Sequence, residues 1–284
     1  MLKQVAIEFR LPRYPEPRFS GSSARHLVSL IAGNEVHPRL FHHGDDRVST
    51  LKSPSLIRWS GGRQSFRING IGPLGIEDVV DAMPIIANAL MARHGEVGIR
   101  RIESECSLVH SAEPSFYIAS NLVLARDARA FQKVALDMTD ADRIALAERI
   151  VSRSIRRQYD YLVETYGDAF GDELNDFDWK HFSIKPLAVG PLVPRRTSHG
   201  GVVYTVADFA FQAHFNIKGA WGAGHAVNPG LGQIWFAQLP SVCENWRDYL
   251  HNSRGDRPSE ESVRDRAQVA RTAFAGKRPV RSAA

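Results

Sequence analysis

The pattern of hydrophobic and polar positions along the first hundred residues predicts six elements in the order strand, helix, strand, strand, helix, strand. The predicted elements are a strand at 4–11, a helix at 20–32, strands at 55–59 and 64–69, a helix at 75–94 and a strand at 99–107. This order is typical of a ferredoxin-like fold, in which two helices cover one face of an antiparallel sheet.

The first predicted helix has one apolar face and one polar face. Its apolar residues recur at helical spacing, and Arg25 and His26 fall on the opposite side. We therefore expect both side chains to point away from the core.

The pattern partly repeats in the second half of the chain. Strands are predicted at 115–125, 181–189, 202–217 and 233–238, with a helical insertion at about 139–180. The sequence thus predicts an α+β protein of two tandem ferredoxin-like (RRM-like) domains with antiparallel sheets. We expect the domains at residues 1–105 and 106–245, followed by a polar C-terminal extension at 246–284.

The helical insertion carries a row of arginines on the side opposite its apolar face. These are Arg149, Arg153, Arg156 and Arg157. Such a row can follow a phosphate backbone. A solvated helix face, with Asp160 and Glu164 nearby, is the other explanation, and the helix alone does not decide between them.

Arginine dominates the basic residues of the chain, which carries a formal net charge of +5. Of the 36 basic residues 29 are arginine, whose planar guanidinium suits bidentate phosphate contacts. A genome rich in arginine codons would produce the same bias. The apolar runs are too short to span a bilayer and no secretory segment is visible, so we expect a cytoplasmic protein without a membrane partner.

Four glycines, Gly222, Gly224, Gly230 and Gly232, form two Gly-x-Gly steps separated by five residues, directly before the predicted strand at 233–238. Backbone amides in such a loop can line up toward an anion, for which phosphate is the first candidate. Tight packing of the loop would require the same glycines. A P-loop is disfavoured because neither Gly-Lys-Ser/Thr nor a helix follows.

Two successive ferredoxin-like halves that end in this glycine spacing resemble the CRISPR repeat-specific endoribonucleases of the RAMP superfamily. Ala223 and Leu231 match the small or aliphatic residues inside each glycine pair. The helical insertion and the arginines favour the processing subunit of type IV systems. One departure is that the loop residues 225–229 include neither Lys nor Arg, which members often carry there.

The resemblance implies cleavage of precursor CRISPR RNA beside a hairpin repeat, by attack of a ribose 2′-hydroxyl and without metal or cofactor. The products would be a 2′,3′-cyclic phosphate and a 5′-hydroxyl, and the protein would stay on its mature CRISPR RNA among other effector subunits. A RAMP subunit that grips guide RNA without cutting it shares the same features. The sequence does not separate these two.

The resemblance also implies that catalytic groups lie on the first helix and just after it, opposite the glycine loop. The candidates there are Arg25, His26, His37 and Arg39. Histidine can serve as base or acid near neutral pH, and arginine can hold the phosphate. For His26 a solvated helix position is the alternative. His37, His42 and His43 with Asp45 and Asp46 lack a recognised ligand spacing, so we expect no metal site.

RNA-binding candidates are the glycine loop with its His225, the arginine row, and the predicted loop at 191–201. That loop carries Arg195, Arg196 and His199, which can wedge against the end of an RNA stem or lie on an ordinary surface loop. Trp221 and Trp235 flank the glycine loop and either stack on bases or belong to the core.

Overall fold

A computed structural model describes residues 2–14, 19–44, 51–170, 177–196, 203–225, 227–237 and 246–252. The N-terminal half contains β1 (Leu2–Arg10), α1 (Gly21–Ala32), a 3₁₀ turn (Pro38–Phe41), β2 (Ile57–Gly61), β3 (Ser65–Ile71) and α2 (Gly72–His94). The second half contains β4 (Gly98–Ala125), α3 (Ala128–Gln132) with a π-helical turn (Lys133–Asp137), α4 (Asp140–Phe170), β5 (Ile184–Val189), β6 (Val193–Arg196), β7 (Val203–Lys218), β8 (Gln233–Phe236) and α5 (Trp246–Asn252).

The described strands form one antiparallel sheet in the order β2-β3-β1-β4-β7-β5. Strand β6 pairs with β7, and β8 pairs with β4. The predicted α+β class with antiparallel sheets is therefore confirmed.

Strand β4 is 28 residues long and runs through both halves. It pairs with β1 over its first part and with β7 and β8 over its second. The strands predicted at 99–107 and 115–125 are thus one strand, interrupted by a register shift between His110 and Ser115. The polar stretch between them, where the Ser111 hydroxyl donates to the Glu113 carbonyl, hides the continuity in the sequence. The boundary expected between residues 105 and 106 lies inside this strand.

Each half has its own hydrophobic core. In the N-terminal half, α1 and α2 pack on the sheet around the fully buried Trp59, Phe9 and Phe66. In the second half α4 packs on β4 and β5. Its apolar pattern predicts a buried face of seven residues, of which Ile144 is only partly buried and six are buried: Ala147, Val151, Ile155, Tyr159, Leu162 and Tyr166. The helix also buries the polar side chains of Arg143 and Gln158. None of the helices in the described parts of the chain is long and apolar enough to cross a membrane.

Capping boxes fix the starts of the two helices that matter for the site. At α1 the Ser20 hydroxyl accepts a hydrogen bond from the Ser23 amide at 3.0 Å, and the Ser23 hydroxyl accepts one from the Ser20 amide. Before α4 the Thr139 hydroxyl and the Asp142 carboxylate exchange the equivalent bonds. Both helix starts are therefore set locally by the sequence.

Residues 222–232, hereafter the glycine loop, tie the second half to the first. The Trp59 amide donates to the Asn228 carbonyl at 2.9 Å, and the Asn228 side-chain amide donates to the Ser55 hydroxyl and the Ile57 carbonyl. The Gln233 side chain donates to the Trp59 carbonyl at 2.7 Å. Because these partners belong to β2 and the segment before it, the loop is docked on the N-terminal half.

We expect Gly230→Ala to destabilise the protein more than Gly95→Ala. Both glycines have positive φ angles, 90° and 79°, and strain at such positions costs about 1–3 kcal/mol. A Cβ at residue 230 would also collide with the Trp59 carbonyl oxygen, whereas nothing lies within 4 Å of a Cβ at residue 95. The collision should add about 1–3 kcal/mol, measured by urea unfolding. Equal losses in the two variants would contradict this packing.

Candidate functional site

Arg25 lies on α1 with its guanidinium turned toward the 3₁₀ turn. Its Nη2 donates to the Phe41 carbonyl at 2.7 Å and contacts His43 Nε2 at 3.2 Å, and the guanidinium lies 5.6 Å from the Phe41 ring centre. Burial lowers the pKa of Arg25, but a guanidinium stays protonated at neutral pH. The structure thus holds a cation here, partly desolvated and fixed in direction.

Two histidines after the turn face this cation. Since a guanidinium can only donate, His43 Nε2 must accept from Arg25 and is unprotonated in this contact. Burial, followed by the charges of Arg58, His43 and Arg25, lowers the pKa of His42 to about 4, so its imidazole is neutral at pH 7. Neither histidine was a catalytic candidate from sequence, although both follow Arg39 by only a few residues.

Arg39 and His37 meet at a carboxylate that the sequence did not single out. Asp78 on α2 is only 6% exposed and accepts two bonds from Arg39, from Nε at 3.0 Å and Nη2 at 2.9 Å. His37 Nδ1 accepts from the Arg39 amide and lies 3.9 Å from Asp78. Asp78 therefore orients Arg39 and ties the 3₁₀ turn to α2, while the Arg39 side chain remains 40% exposed.

The catalytic candidates are thus gathered around one structural element, the 3₁₀ turn. Arg25 contacts the end of the turn, while His37 and Arg39 contact α2 from its start. His26 lies beside Arg25 on α1 and is half-buried rather than fully outward as expected. Leu27 and Val28, which follow it, pack into the N-terminal core.

The glycine loop borders this region. A Cβ at Gly21, the first residue of α1, would collide with the Pro229 carbonyl, and one at Gly230 would lie 3.3 Å from the Gly21 Cα. The Asn228 side chain also donates to the Leu40 carbonyl of the 3₁₀ turn at 3.4 Å. The loop therefore lies against the start of the helix that carries Arg25, one turn away from it.

Tight packing accounts for the remaining loop glycines. A Cβ at Gly222 would meet the Val227 side chain, one at Gly224 would meet Ile150 and Leu122, and one at Gly232 would meet the Ala223 carbonyl. The packing explanation left open by the sequence thus applies to each of them.

The side chains in and beside the loop differ in exposure. His225, within the loop, is exposed as a whole residue, and its ring lies edge-on to Tyr204 at 5.4 Å. Partial burial of the ring, followed by the charge of Arg126, lowers its pKa. Trp221 is buried in the core, whereas Trp235 is 50% exposed. Of the two tryptophans considered for base stacking, Trp235 alone has an accessible ring.

The arginine row on α4 is exposed as predicted, and two of its members also make contacts within the protein. Arg156 lies 5.3 Å from the Trp179 ring centre and 3.9 Å from Asp160, and Arg157 donates to the Lys52 carbonyl at 2.6 Å. Arg153, Arg156 and Arg157 line a cavity of about 360 Å³ with Pro54, Asp160, Tyr161 and Glu164. Three of the four arginines therefore line a groove between α4 and Pro54 that also carries two acids, while Arg149 is not among its lining residues.

The basic loop at 191–201 is described only in part. Arg195 is exposed on β6 opposite Tyr204, and Arg196 pairs with Val203 in the same ladder. His199 lies outside the described residues. Arg195 therefore belongs to a strand rather than to the loop tip expected for it.

Arg58 is a buried cation that sequence reasoning missed. It is 2% exposed and donates to the carbonyls of Ser55 and Ile57 and to the Gln158 side chain. Its signal in the sequence is a charge between Ile57 and Trp59 in a strand that otherwise looks apolar. Within the described residues no group of three or more His, Cys, Asp or Glu side chains is arranged to hold a metal ion, and Asp45 and Asp46 lie outside them.

Comparison with known proteins identifies the family. Residues 2–238 match the family model described as type IV CRISPR-associated endonuclease Csf5. A search of curated protein sequences finds no match.

Two solved structures share the fold. One is a Csf5, a CRISPR-Cas type IV Cas6 crRNA endonuclease, with a TM-score of 0.60 and 17% identity over 83% of this chain and 99% of the other. The second is a Cas6b with a TM-score of 0.57, also at 17% identity, covering 83% of this chain and all of the other. The likeness in fold and the family match over most of the chain agree, and the chain therefore belongs to the Csf5 family of type IV CRISPR-associated endonucleases.

Proposed function

We propose that this protein cleaves precursor CRISPR RNA beside the stem of its hairpin repeat, by attack of a 2′-hydroxyl on the adjacent phosphate and without a metal ion. The observation that carries the proposal is the cluster of Arg25 and Arg39 with His37, His42 and His43 around the 3₁₀ turn, next to the docked glycine loop. Membership of a CRISPR-associated endonuclease family supports the substrate class.

The reaction forms a bond between the 2′-oxygen and phosphorus and breaks the bond from phosphorus to the 5′-oxygen. A base takes the 2′-hydroxyl proton, an acid gives a proton to the 5′-oxygen, and cations stabilise the negative phosphorane between them. The products are a 2′,3′-cyclic phosphate and a 5′-hydroxyl. The site needs two fixed cations and titratable groups, and its residues are of those types.

Arg25 and Arg39 are the cations in this proposal. Each is oriented by the protein, Arg25 by the Phe41 carbonyl and Arg39 by Asp78, so little reorganisation is needed when charge develops on the phosphate. His26 and His37 supply the proton-transfer groups, in either assignment of base and acid. His43 contacts Arg25, one of these two cations, through its Nε2 atom.

The arginine row on α4 binds the RNA stem. Arg195, Arg196 and His199 contact the end of the stem, and the glycine loop with His225 binds the RNA near the cut. The exposure of the row and its groove supports this part. A stem held in this way stays on the protein after cleavage, as the mature guide of a cytoplasmic complex with other effector subunits.

The first test is cleavage of a synthetic, labelled repeat RNA from the host genome's CRISPR array, in EDTA. We expect a cut that leaves a 2′,3′-cyclic phosphate, and we expect RNA with a 2′-deoxyribose at the cut to be bound but left intact. Loss of the cut in EDTA, or cleavage of the deoxy substrate, would contradict the mechanism. Binding without any cut would instead identify a guide-gripping subunit.

Arg25→Ala should lower the single-turnover cleavage rate by about 100-fold or more, because one preorganised cation at the phosphorane is lost. Affinity for the deoxy RNA should change by less than about tenfold, since binding rests on several other cations. Arg67→Ala is the matched control: it removes an exposed arginine paired with Glu8 on the N-terminal sheet. If the Arg25→Ala protein has the same melting temperature and cleavage rate as the control, Arg25 is not part of the catalytic site.

Arg149→Gln combined with Arg153→Gln should weaken RNA binding and reduce its dependence on salt. If each arginine contacts one phosphate, the slope of log K against log salt should fall by about two. The control with the same change of charge is Arg67→Gln combined with Arg101→Gln, at exposed arginines of β3 and β4. An equal effect of the two pairs would mean that net charge, not the row, decides binding.

A further inference from the structure

Arg58, Gln158 and Gly222 meet where the N-terminal half, α4 and the glycine loop come together. The Gln158 Oε1 atom accepts from Arg58 Nη2 at 3.1 Å and from the Gly222 amide at 3.3 Å. Arg58 is on β2, Gln158 on α4 and Gly222 at the start of the loop. One side-chain oxygen thus joins three parts of the molecule that are far apart in sequence.

The orientation of the Gln158 amide follows from its neighbours. A guanidinium and a backbone amide both only donate, so the oxygen must face them and the amide nitrogen must face away. That nitrogen is buried, and none of the residues that the structure describes accepts a hydrogen bond from it. Among the described residues the oxygen is thus the end of the Gln158 amide that makes contacts, and it is the oxygen that joins the three elements.

Arg58 has no carboxylate within ion-pair distance among the residues that the structure describes. Burial lowers its pKa to about 10, and it remains a cation at pH 7. In the described part of the chain its hydrogen-bond acceptors are oxygens of Ser55, Ile57 and Gln158. Burying a cation without a carboxylate costs folding free energy, and hydrogen bonds from the cation to its oxygen acceptors are strong in the low dielectric of the interior.

We infer that Arg58 and Gln158 are positioning residues that hold α4, which grips the RNA stem, at a fixed angle to the helix and 3₁₀ turn that cut the RNA. The inference rests on the proposed function, because it assigns gripping and cutting to these two parts. Neither residue reaches the surface, since Arg58 is 2% and Gln158 4% exposed, and both therefore act through the elements they join.

The length of α4 amplifies any movement at the contact between Arg58 and Gln158, hereafter called the joint. Gln158 lies near the middle of the helix, and Arg149 at the far end of the arginine row lies about 14 Å away along the axis. A small rotation at the joint therefore displaces the arginine row and the RNA with it. A misplacement of about 1 Å between reacting groups can cost about 100-fold in rate.

Two matched variants separate the acceptor from the bulk of the side chain. Gln158→Met keeps the length of the side chain and removes the acceptor, whereas Gln158→Glu keeps the acceptor and gives Arg58 a countercharge. We expect Gln158→Met to cut bound repeat RNA about 10- to 100-fold more slowly than wild type and Gln158→Glu to stay within about threefold of it. Affinity for the 2′-deoxy RNA should change by less than about threefold in both, because the arginine row is intact.

A purely structural role would lower the folded fraction but not the rate constant of each bound complex at saturating protein. Should Gln158→Met fail to fold, the double variant Arg58→Met with Gln158→Met removes the unpaired buried cation as well, and it should fold yet still cut slowly. Gln158→Met or the double variant cutting bound RNA at the wild-type rate would overturn the inference, as would Gln158→Glu cutting as slowly as Gln158→Met.

A distance measurement keeps this inference separate from the proposed function. Spin labels at Leu30→Cys on α1 and Ala145→Cys on α4, both exposed, report the angle between the two parts in a Cys243→Ser background. The distance distribution should be narrow in the wild-type and Gln158→Glu proteins and broad or shifted in Gln158→Met. If the wild type does not cut RNA, the proposed function fails, but the distance measurement still tests whether Gln158 holds α4 in place. An unchanged distance distribution in Gln158→Met would refute that role of Gln158.

Discussion

The docking of the glycine loop on β2 is the constraint on which the rest of this molecule depends. The Leu40 carbonyl accepts from Trp59 Nε1 at 3.1 Å and from the Asn228 side chain at 3.4 Å, so strand, 3₁₀ turn and loop share one acceptor. Asn228 and Trp59 are buried, and their bonds are shielded from water. Displacing the loop would leave these polar groups unsatisfied and would uncover the start of α1.

The electrostatics of the region follow from that closeness. Arg25 and Arg58 are both drawn out of water, and the buried acid that the structure describes nearby, Asp78, is already engaged by Arg39. Their fields help to keep His42 unprotonated. Among the described residues of this region, two arginines withdrawn from water thus accompany one acid that is already paired, and this supports the phosphate contact proposed for Arg25.

Local patterns predicted most of the fold, and they supplied residues of the candidate site without their contact partners. The apolar stripe of α4 and the order of the N-terminal elements depend on neighbouring residues, and both can be predicted from the sequence. The continuity of β4 across residues 111–114 was missed because it depends on β7, which pairs with β4 on both sides of that stretch. The bidentate contact of Arg39 with Asp78 was missed because it joins residues 39 positions apart. Arg58 was missed because its partners are backbone carbonyls and a glutamine, which no charge pattern reveals.

The separation in sequence between the loop and its dock has a consequence for the order of assembly. Asn228 bonds to Ser55 across 173 positions, although the N-terminal core draws on residues from Val5 to Leu90. During synthesis that first core can form while most of the second half is still unmade, since chains fold from the N-terminus as they emerge. The loop reaches β2 only after residue 228 has been made, so the nascent chain carries Arg25 and the 3₁₀ turn long before the glycine loop can dock beside them.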